Sequence, residues 1–292
     1  MLQVKHLSKS FGSDLVLDDC SFEIPKSRVV GLVGSNGAGK TTLLKCIQGV
    51  YDFSGEILFA NEKIVENNKI KSKIFLVSDA NWFPFNATMK SMEELYATFY
   101  HFNSIRYKKY VDIFNLDIHK KINEFSKGMT RLACVCFALA VEPELLLIDE
   151  VFDGLDPKVR QVFKRCIIED MDETKMSVLV SSHALRELED ICDEFIFLNK
   201  TIYTQGNVQD LKQNYSKVQV ISDDISRLIE LIGDDKIVHR KTSGKVHILI
   251  CNINKDIMFD IMEKIQPQFY ECLPITFEEY YLLVDEGGNQ NE

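Results

Sequence analysis

One loop, Gly34-Ser35-Asn36-Gly37-Ala38-Gly39-Lys40-Thr41, constrains this chain more than any other stretch. It follows Val29-Val30-Gly31-Leu32-Val33, an apolar run short and β-branched enough for a buried strand. It precedes Thr42-Leu43-Leu44-Lys45-Cys46-Ile47, whose apolar residues fall at helical spacing. Strand, glycine loop, helix is the setting in which G-x-x-x-x-G-K-[ST] cradles phosphate. The glycines let backbone N–H groups point at phosphate oxygens, and the helix start adds the positive end of its dipole. Lys40 is expected to reach the β- and γ-phosphates, and Thr41 to offer a hydroxyl to Mg²⁺. The bland alternative is a glycine-rich turn with a surface lysine, which the flanking strand and helix disfavour. The stretch therefore predicts a nucleoside triphosphate site.

With 292 residues, 46% apolar and 27% charged, the chain has an ordinary globular composition and enough length for a full core. Its net charge of −10 disfavours nucleic acid as a partner, because phosphate-backbone binding rests on Lys and Arg. The eight cysteines are scattered, mostly through apolar segments. Only Cys134 and Cys136 are close, and C-x-C inside an apolar helix lacks the paired spacing of a zinc site. Buried, reduced thiols are expected. Met1-Leu2-Gln3-Val4-Lys5-His6 reads as an edge strand rather than a signal peptide. The longest apolar run, Leu132 to Val141, falls short of the ~20 residues that span a bilayer, so any membrane role needs something else to hold the chain there.

Taken in order, Leu2, Val4 and Leu7 mark a first strand, and Val16–Ile24 a second that Pro25 ends. Phe11, near their turn, reads either as a stacking face for a base or as a turn-side core residue. Further strands are expected at Tyr51–Phe59 after a turn and at Ile74–Val77, the latter ending at Ser78-Asp79. Between Asn86 and Asn123 an aromatic, mixed-polarity stretch predicts a helical insertion, with helices around Lys90–Tyr100 and Arg106–Phe114. Ser126 stands where a helix N-cap belongs, ahead of a run that is apolar all round and that Pro143 breaks. Glu144-Leu145-Leu146-Leu147-Ile148-Asp149-Glu150 is an apolar strand ending in two carboxylates. In that position Asp149 suits Mg²⁺ and Glu150 suits polarising an attacking water. A turn through Asp156-Pro157 leads to a helix, and Ser177–His183 is a strand ending in a histidine.

The order of these elements resembles the ATP-binding-cassette (ABC) ATPase family from residue 1 to about 213. The resemblance implies an α/β fold: a P-loop cassette with a mixed-sheet core and a helical subdomain at about 80–142. It implies that Phe11, Val16 and the loop residues Gly34, Ser35, Asn36, Gly37, Ala38, Gly39, Lys40, Thr41 and Thr42 bind ATP. Thr41, Asp149 and Asp79 become the Mg²⁺ residues, and Glu150 and the switch histidine His183 the catalytic ones. Ser126, Lys127, Gly128 and Met129 form the signature segment that meets the nucleotide of an opposite subunit, and Gly154 to Asp156 cross the dimer interface. Two departures stand out. The signature reads Phe-Ser-Lys-Gly-Met rather than Leu-Ser-Gly-Gly-Gln, and Asp79 replaces the usual strand-end glutamine. Asp79 is either a Mg²⁺ residue or a solvated turn residue, with Ser78 or Asn81 taking its role. The variant signature is similar to that of the exporter branch whose membrane partner is a separate ABC-2-type polypeptide, a branch handling drugs, peptides and polymers.

From Asn214 onward the pattern changes. Lys217–Ile221, Lys236–Arg240, Lys245–Cys251 and Phe269–Leu273 read as strands, with helices at Ile225–Ile232 and Asp256–Ile265 and a turn at Thr242-Ser243-Gly244. That βαββαβ order predicts a small α+β domain of ferredoxin-like type over 214–292, closed by a helix at Thr276–Val284, with a disordered tail from Asp285. With one phosphate loop per chain, the resemblance implies a head-to-tail pair around two ATP·Mg²⁺, formed with a second copy or a paralogous ATPase subunit. It also implies a separate transmembrane permease and a place on the cytoplasmic face of the membrane. The alternative is a soluble regulatory or sensor ATPase uncoupled from transport. Ribosome-acting cassettes carry two cassettes and tend to be basic, and DNA-repair cassettes need a long heptad insertion that this sequence lacks.

Overall fold

The computed structural model describes residues 1–78, 83–152 and 155–288, and it divides into two units, Met1–Gln205 and Gly206–Glu292. In the first unit, strand β1 (Leu2–Phe11) buries Leu2 and Val4 through its alternation and Leu7 after a register shift between Val4 and Leu7, and it pairs antiparallel with β2 (Asp14–Ile24). Its other edge takes β4 (Ser54–Phe59), to which the two-residue β5 (Glu62–Lys63) is added. Between them in sequence lies β3 (Val29–Val33), buried at all five positions as a two-sided strand must be.

Strand β3 sits inside a second, six-stranded sheet. Helix α1 (Lys40–Ile47) follows it, and a short α2 (Asn68–Lys71) leads to β6 (Ile74–Ser78). Strands β7 (Leu145–Asp149) and β8 (Ser177–Ser181) are buried throughout, and β9 (Glu194–Asn199) and β10 (Thr201–Asn207) complete the order β10-β9-β3-β8-β7-β6. β3, β6, β7, β8 and β9 run parallel, so their carboxyl ends gather on one side. That is the edge where open parallel sheets bind ligands. One apolar cluster joins Leu43, Leu44 and Ile47 of α1 to Leu2 and Phe22 of the first sheet and to Leu147 and Leu179 of the second.

The aromatic stretch is a helical insertion, built from α3 (Met89–Phe99), α4 (Ser104–Ile113) and α5 (Lys127–Val141). Thr88 and Ser91 form a reciprocal cap on α3, and Asn103 caps α4. Phe137 stacks on Tyr96 at 5.0 Å and on Tyr107 at 5.6 Å, which makes these aromatics core. Helix α6 (Pro157–Thr174) has Asp156 as N-cap and Pro157 at its first position, and the short α7 (Leu185–Glu189) precedes β9. Among the described residues no helix is long and apolar enough to cross a membrane.

In the second unit, α8 (Val208–Asn214) leads into β11 (Ser216–Ile221), α9 (Ser226–Ile232), β12 (Ile237–Ser243), β13 (Val246–Cys251), α10 (Lys255–Ile265) and β14 (Phe269–Leu273). The strands pair antiparallel in the order β12-β13-β11-β14, a βαββαβ unit with its first and third strands central. Val218, Val220 and Leu249 meet Leu228, Met258 and Met262 in its core.

The hairpin of β9 and β10 adds to the expected strands, and three expectations are corrected. His183 lies two residues beyond Ser181, where β8 ends. β12 continues through Ser243, so the turn falls at Gly244-Lys245. Helix α11 (Phe277–Gly288) carries on past Val284 into the stretch read as a disordered tail.

All eight cysteines are free thiols, seven of them buried. Burial pushes Cys20 and Cys166 up to about 11 and Cys46 and Cys251 up to about 12, far from the thiolate that reacts. A thiol-specific chromogenic reagent should label the folded chain only at the half-buried Cys272 and all eight cysteines after denaturation. Rapid labelling of several thiols in the folded chain would contradict this packing.

Candidate functional site

The loop after β3 closes over α1 through two glycines that nothing larger can replace. A Cβ at Gly34 would stand 2.3 Å from the Leu198 carbonyl oxygen of β9 and 2.9 Å from Ala38 Cβ. Gly39 has φ +101° and lies against Val16 and Leu17 of β2, where a Cβ would come within 2.7 Å of Leu17 Cδ2. Lys200, the residue between β9 and β10, stitches the loop to the first sheet: its N–H donates to Ala38 O at 3.0 Å and its carbonyl accepts from Asp18 N–H at 2.9 Å.

Around this loop lies a cleft of about 220 Å³ lined by Val16, Asn36, Gly37, Gly39, Lys40, Thr41, Thr42 and Glu150. The Lys40 side chain is only 5% exposed, and its ammonium donates to Gly34 O at 2.9 Å and Ser35 O at 3.1 Å. Glu150 Oε1 lies 3.7 Å from the same ammonium. Thr41 Oγ1 donates to Asp149 Oδ2 at 2.8 Å, and Ser181 Oγ donates to Asp149 Oδ1 at 2.7 Å. Both carboxylate oxygens are therefore aimed by hydroxyls. Glu150 leaves the strand with φ +53°, and its N–H donates to Ser181 O at 3.1 Å and Ser181 Oγ at 3.2 Å. That turn swings its side chain back toward the cleft, with His183 Nδ1 4.0 Å from Glu150 Oε1.

The chemistry follows from these placements. A buried ammonium over a loop of N–H donors suits a polyphosphate, and a half-exposed carboxylate beside it suits the activation of water. The hydroxyl of Thr41 and the carboxylate of Asp149 are hard oxygen donors 2.8 Å apart. They fit Mg²⁺, which takes one or two protein carboxylates and completes its shell with substrate phosphates and water.

The remaining expected residues stand apart from the cleft walls. Phe11 is 45% exposed at the end of β1, with Tyr51 edge-on to its ring at 5.2 Å and Lys9 Nζ 5.0 Å from its centroid. It is an exposed aromatic face rather than a core residue. Ser126 is the N-cap of α5, its hydroxyl accepting from Met129 N–H at 3.2 Å, with Lys127 exposed and Gly128 half-buried. None of Ser126 to Met129 lines the cleft of its own chain. Asp156 Oδ1 accepts from Lys158 N–H at 2.9 Å as it caps α6. Ser78 pairs with Asp149 across β6 and β7, whereas Asp79 and Gly154 lie outside the described residues.

Sequence reasoning missed Ser181, Lys200 and Tyr51 as supports of the site. The run Glu194–Leu198, the Asn199-Lys200 turn and the run Thr201–Tyr203 form a hairpin signal that would have found the second of these.

This fold and cleft define a P-loop nucleotide-hydrolysing cassette with a helical insertion. The ABC transporter family profile matches residues 17–153. The ATP-binding protein YtrB of Bacillus subtilis is 28% identical over 97% of this chain and 97% of its own length. EcsA of the same organism, an ABC-type transporter ATP-binding protein, is 30% identical over 80% of this chain and 98% of its own. A solved ATP-binding subunit of an ABC transporter superimposes with a TM-score of 0.67 at 27% identity, covering 73% of this chain and 92% of that one. The chain belongs to the ABC transporter family. It is an ATP-binding chain of that family, an ATPase coupled to transport.

Proposed function

We propose that this chain pairs head-to-tail with a second copy or a paralogous subunit and drives a separate membrane permease from the cytoplasmic face. The favoured direction is export, of a drug or a hydrophobic, antimicrobial or toxin peptide. The observation that carries the reading is the convergence of Lys40, Thr41, Asp149 and Glu150 on one cleft. Lys40 exchanges its two backbone carbonyls for the β- and γ-phosphates of ATP. Thr41 and Asp149 hold Mg²⁺, which neutralises phosphate charge when bound. Glu150 draws a proton from the attacking water, and His183, beside it, senses the γ-phosphate. Phe11 stacks on the adenine. Ser126, Gly128 and the helix start behind them cap the nucleotide of the opposite subunit, and Asp156 lies along the pair's interface. Closure and opening of the pair switch the permease between inward- and outward-facing states.

Support for a permease comes from similarity to YtrB along the whole chain, second unit included. Support for export comes from the Phe-Ser-Lys-Gly-Met signature. The test is isolation of the tagged chain from membranes of its native host. Recovery of a multi-span membrane polypeptide that raises ATPase activity is expected. An active ATPase that stays wholly in the soluble fraction would instead favour the uncoupled regulatory reading.

We also propose that Asp79 contributes to Mg²⁺ binding, since Ser78 pairs with Asp149 at the end of β6. A third carboxylate acting with Asp149 and Glu150 would disfavour the metal-free site through like-charge repulsion. Asp79→Asn should keep ATP affinity but shift the Mg²⁺ concentration for half-maximal ATPase, and Asp79→Ala should lower turnover. Magnesium titrations that overlay wild type for both variants would remove Asp79 from the site.

A further inference from the structure

Outside the cleft lining, one arginine ties three helices together. Arg106 of α4 is 14% exposed and donates through Nη2 to Asp170 Oδ1 of α6, a carboxylate with no exposure at all. The same oxygen accepts from the hydroxyl of Tyr110, which is also fully buried. Arg106 Nη1 lies 3.3 Å from Glu142 Oε1, at the C-cap of α5, and 3.1 Å from Glu173 Oε2 of α6. Asn103, the N-cap of α4, reinforces the α5 side: its N–H donates to Ala140 O at 2.8 Å and its amide nitrogen to Glu142 Oε1 at 3.0 Å. A planar guanidinium with five donors can serve three carboxylates at fixed angles, which a lysine cannot.

The position of this knot matters because of what lies at the other ends of the helices it binds. α5 starts behind Ser126 and α6 behind Asp156. At about 1.5 Å per residue, Val141 is about 21 Å from Lys127 along α5, and Asp170 about 20 Å from Pro157 along α6. The two levers are nearly equal. A rotation of roughly 10° between them moves a tip by about 3.5 Å, more than the span of a hydrogen bond.

We propose that Arg106 is a positioning residue: by locking Glu142 of α5 to Asp170 of α6, it fixes the spacing of Ser126 and Asp156 at the far ends of those helices. The inference rests on the proposed roles of those two residues at the subunit interface. A buried ion pair is replaceable by apolar groups of similar volume with little loss of stability, whereas removing one partner strands a charge. The triple variant R106M/Y110F/D170L is therefore the informative one. E142N is its independent companion, since asparagine suits the left-handed backbone of residue 142 (φ 52°) but is too short to repeat the contact with Arg106.

Spin labels placed by E124C and K158C, both exposed positions, with Cys272 changed to Ser, report the spacing directly by pulsed dipolar spectroscopy. A single narrow distance is expected in the parent, and a distribution shifted or broadened by several ångströms in both variants. In the E150Q background the variants should keep ATP affinity within about twofold while ATP-driven pairing weakens about tenfold or more. An unchanged distance distribution in folded variants overturns the clamp; should the triple variant fail to fold, E142N alone decides. A changed distribution with unchanged pairing keeps the clamp and overturns the interface roles of Ser126 and Asp156. Absence of pairing in E150Q itself counts against the dimer reading, and the distances still judge the clamp.

Discussion

Lys40→Ala is expected to weaken ATP binding about a hundredfold or more while leaving the fold intact. The Lys40 ammonium is held by two loop carbonyls and approached by Glu150. It thus lines the cleft proposed to take the β- and γ-phosphates. Truncating one partner of a buried, hydrogen-bonded charge pair costs about 2–5 kcal/mol, and about 3 kcal/mol corresponds to roughly a hundredfold in Kd. The fold should survive because the close approach of Leu198 O to Gly34 and the packing of Gly39 against Leu17 do not depend on the lysine side chain. Titration with a fluorescent ATP analogue, with circular dichroism as a check on folding, measures this. Affinity within a few-fold of wild type would remove Lys40 from the phosphate site.

Glu150→Gln is expected to keep ATP·Mg²⁺ binding and to slow hydrolysis by roughly 10²–10⁴-fold, the contribution of a positioned general base. The substitution is nearly isosteric, and both hydrogen bonds that fix the Glu150 backbone run from its N–H to Ser181. Asp149 keeps its two hydroxyl partners in either case. Lys40 loses only a carboxylate that competes with phosphate for its ammonium, so the affinity for ATP should not fall. Single-turnover hydrolysis separates the chemical step from product release. A rate within threefold of wild type would mean that another group activates the water.

Most of the cassette was legible because its signals are local. The phosphate loop, the strand ending at Asp149-Glu150 and the Ser126 cap each carry residue types whose conformational needs are met within a few positions. Alternation in β1 and the all-buried run of α5 were equally direct. The C-terminal βαββαβ order was readable for the same reason. What was not legible depends on partners distant in sequence. Gly34 needs to be glycine because Leu198 O approaches it, and Asp149 is aimed by Ser181, some thirty residues away. The knot of Arg106, Glu142 and Asp170 is invisible in a chain where each residue looks like an ordinary helix-surface charge. Phe11 could be read two ways from sequence, and its exposure beside Tyr51 and Lys9 argues against the core reading. α11 runs beyond the predicted end because Asp285-Glu286 is polar but compatible with helix, and polarity alone does not end one.

The central claim is that this site is completed by a second subunit, and it is tested most directly by the mass of the Glu150→Gln chain in solution. Multi-angle light scattering, with and without ATP and Mg²⁺, should give a monomer in the absence of nucleotide and twice that mass in its presence. Addition of Ser126→Arg, which fills the start of α5, should return the monomer. A Glu150→Gln chain that binds ATP·Mg²⁺ tightly and remains monomeric at all concentrations would contradict the account.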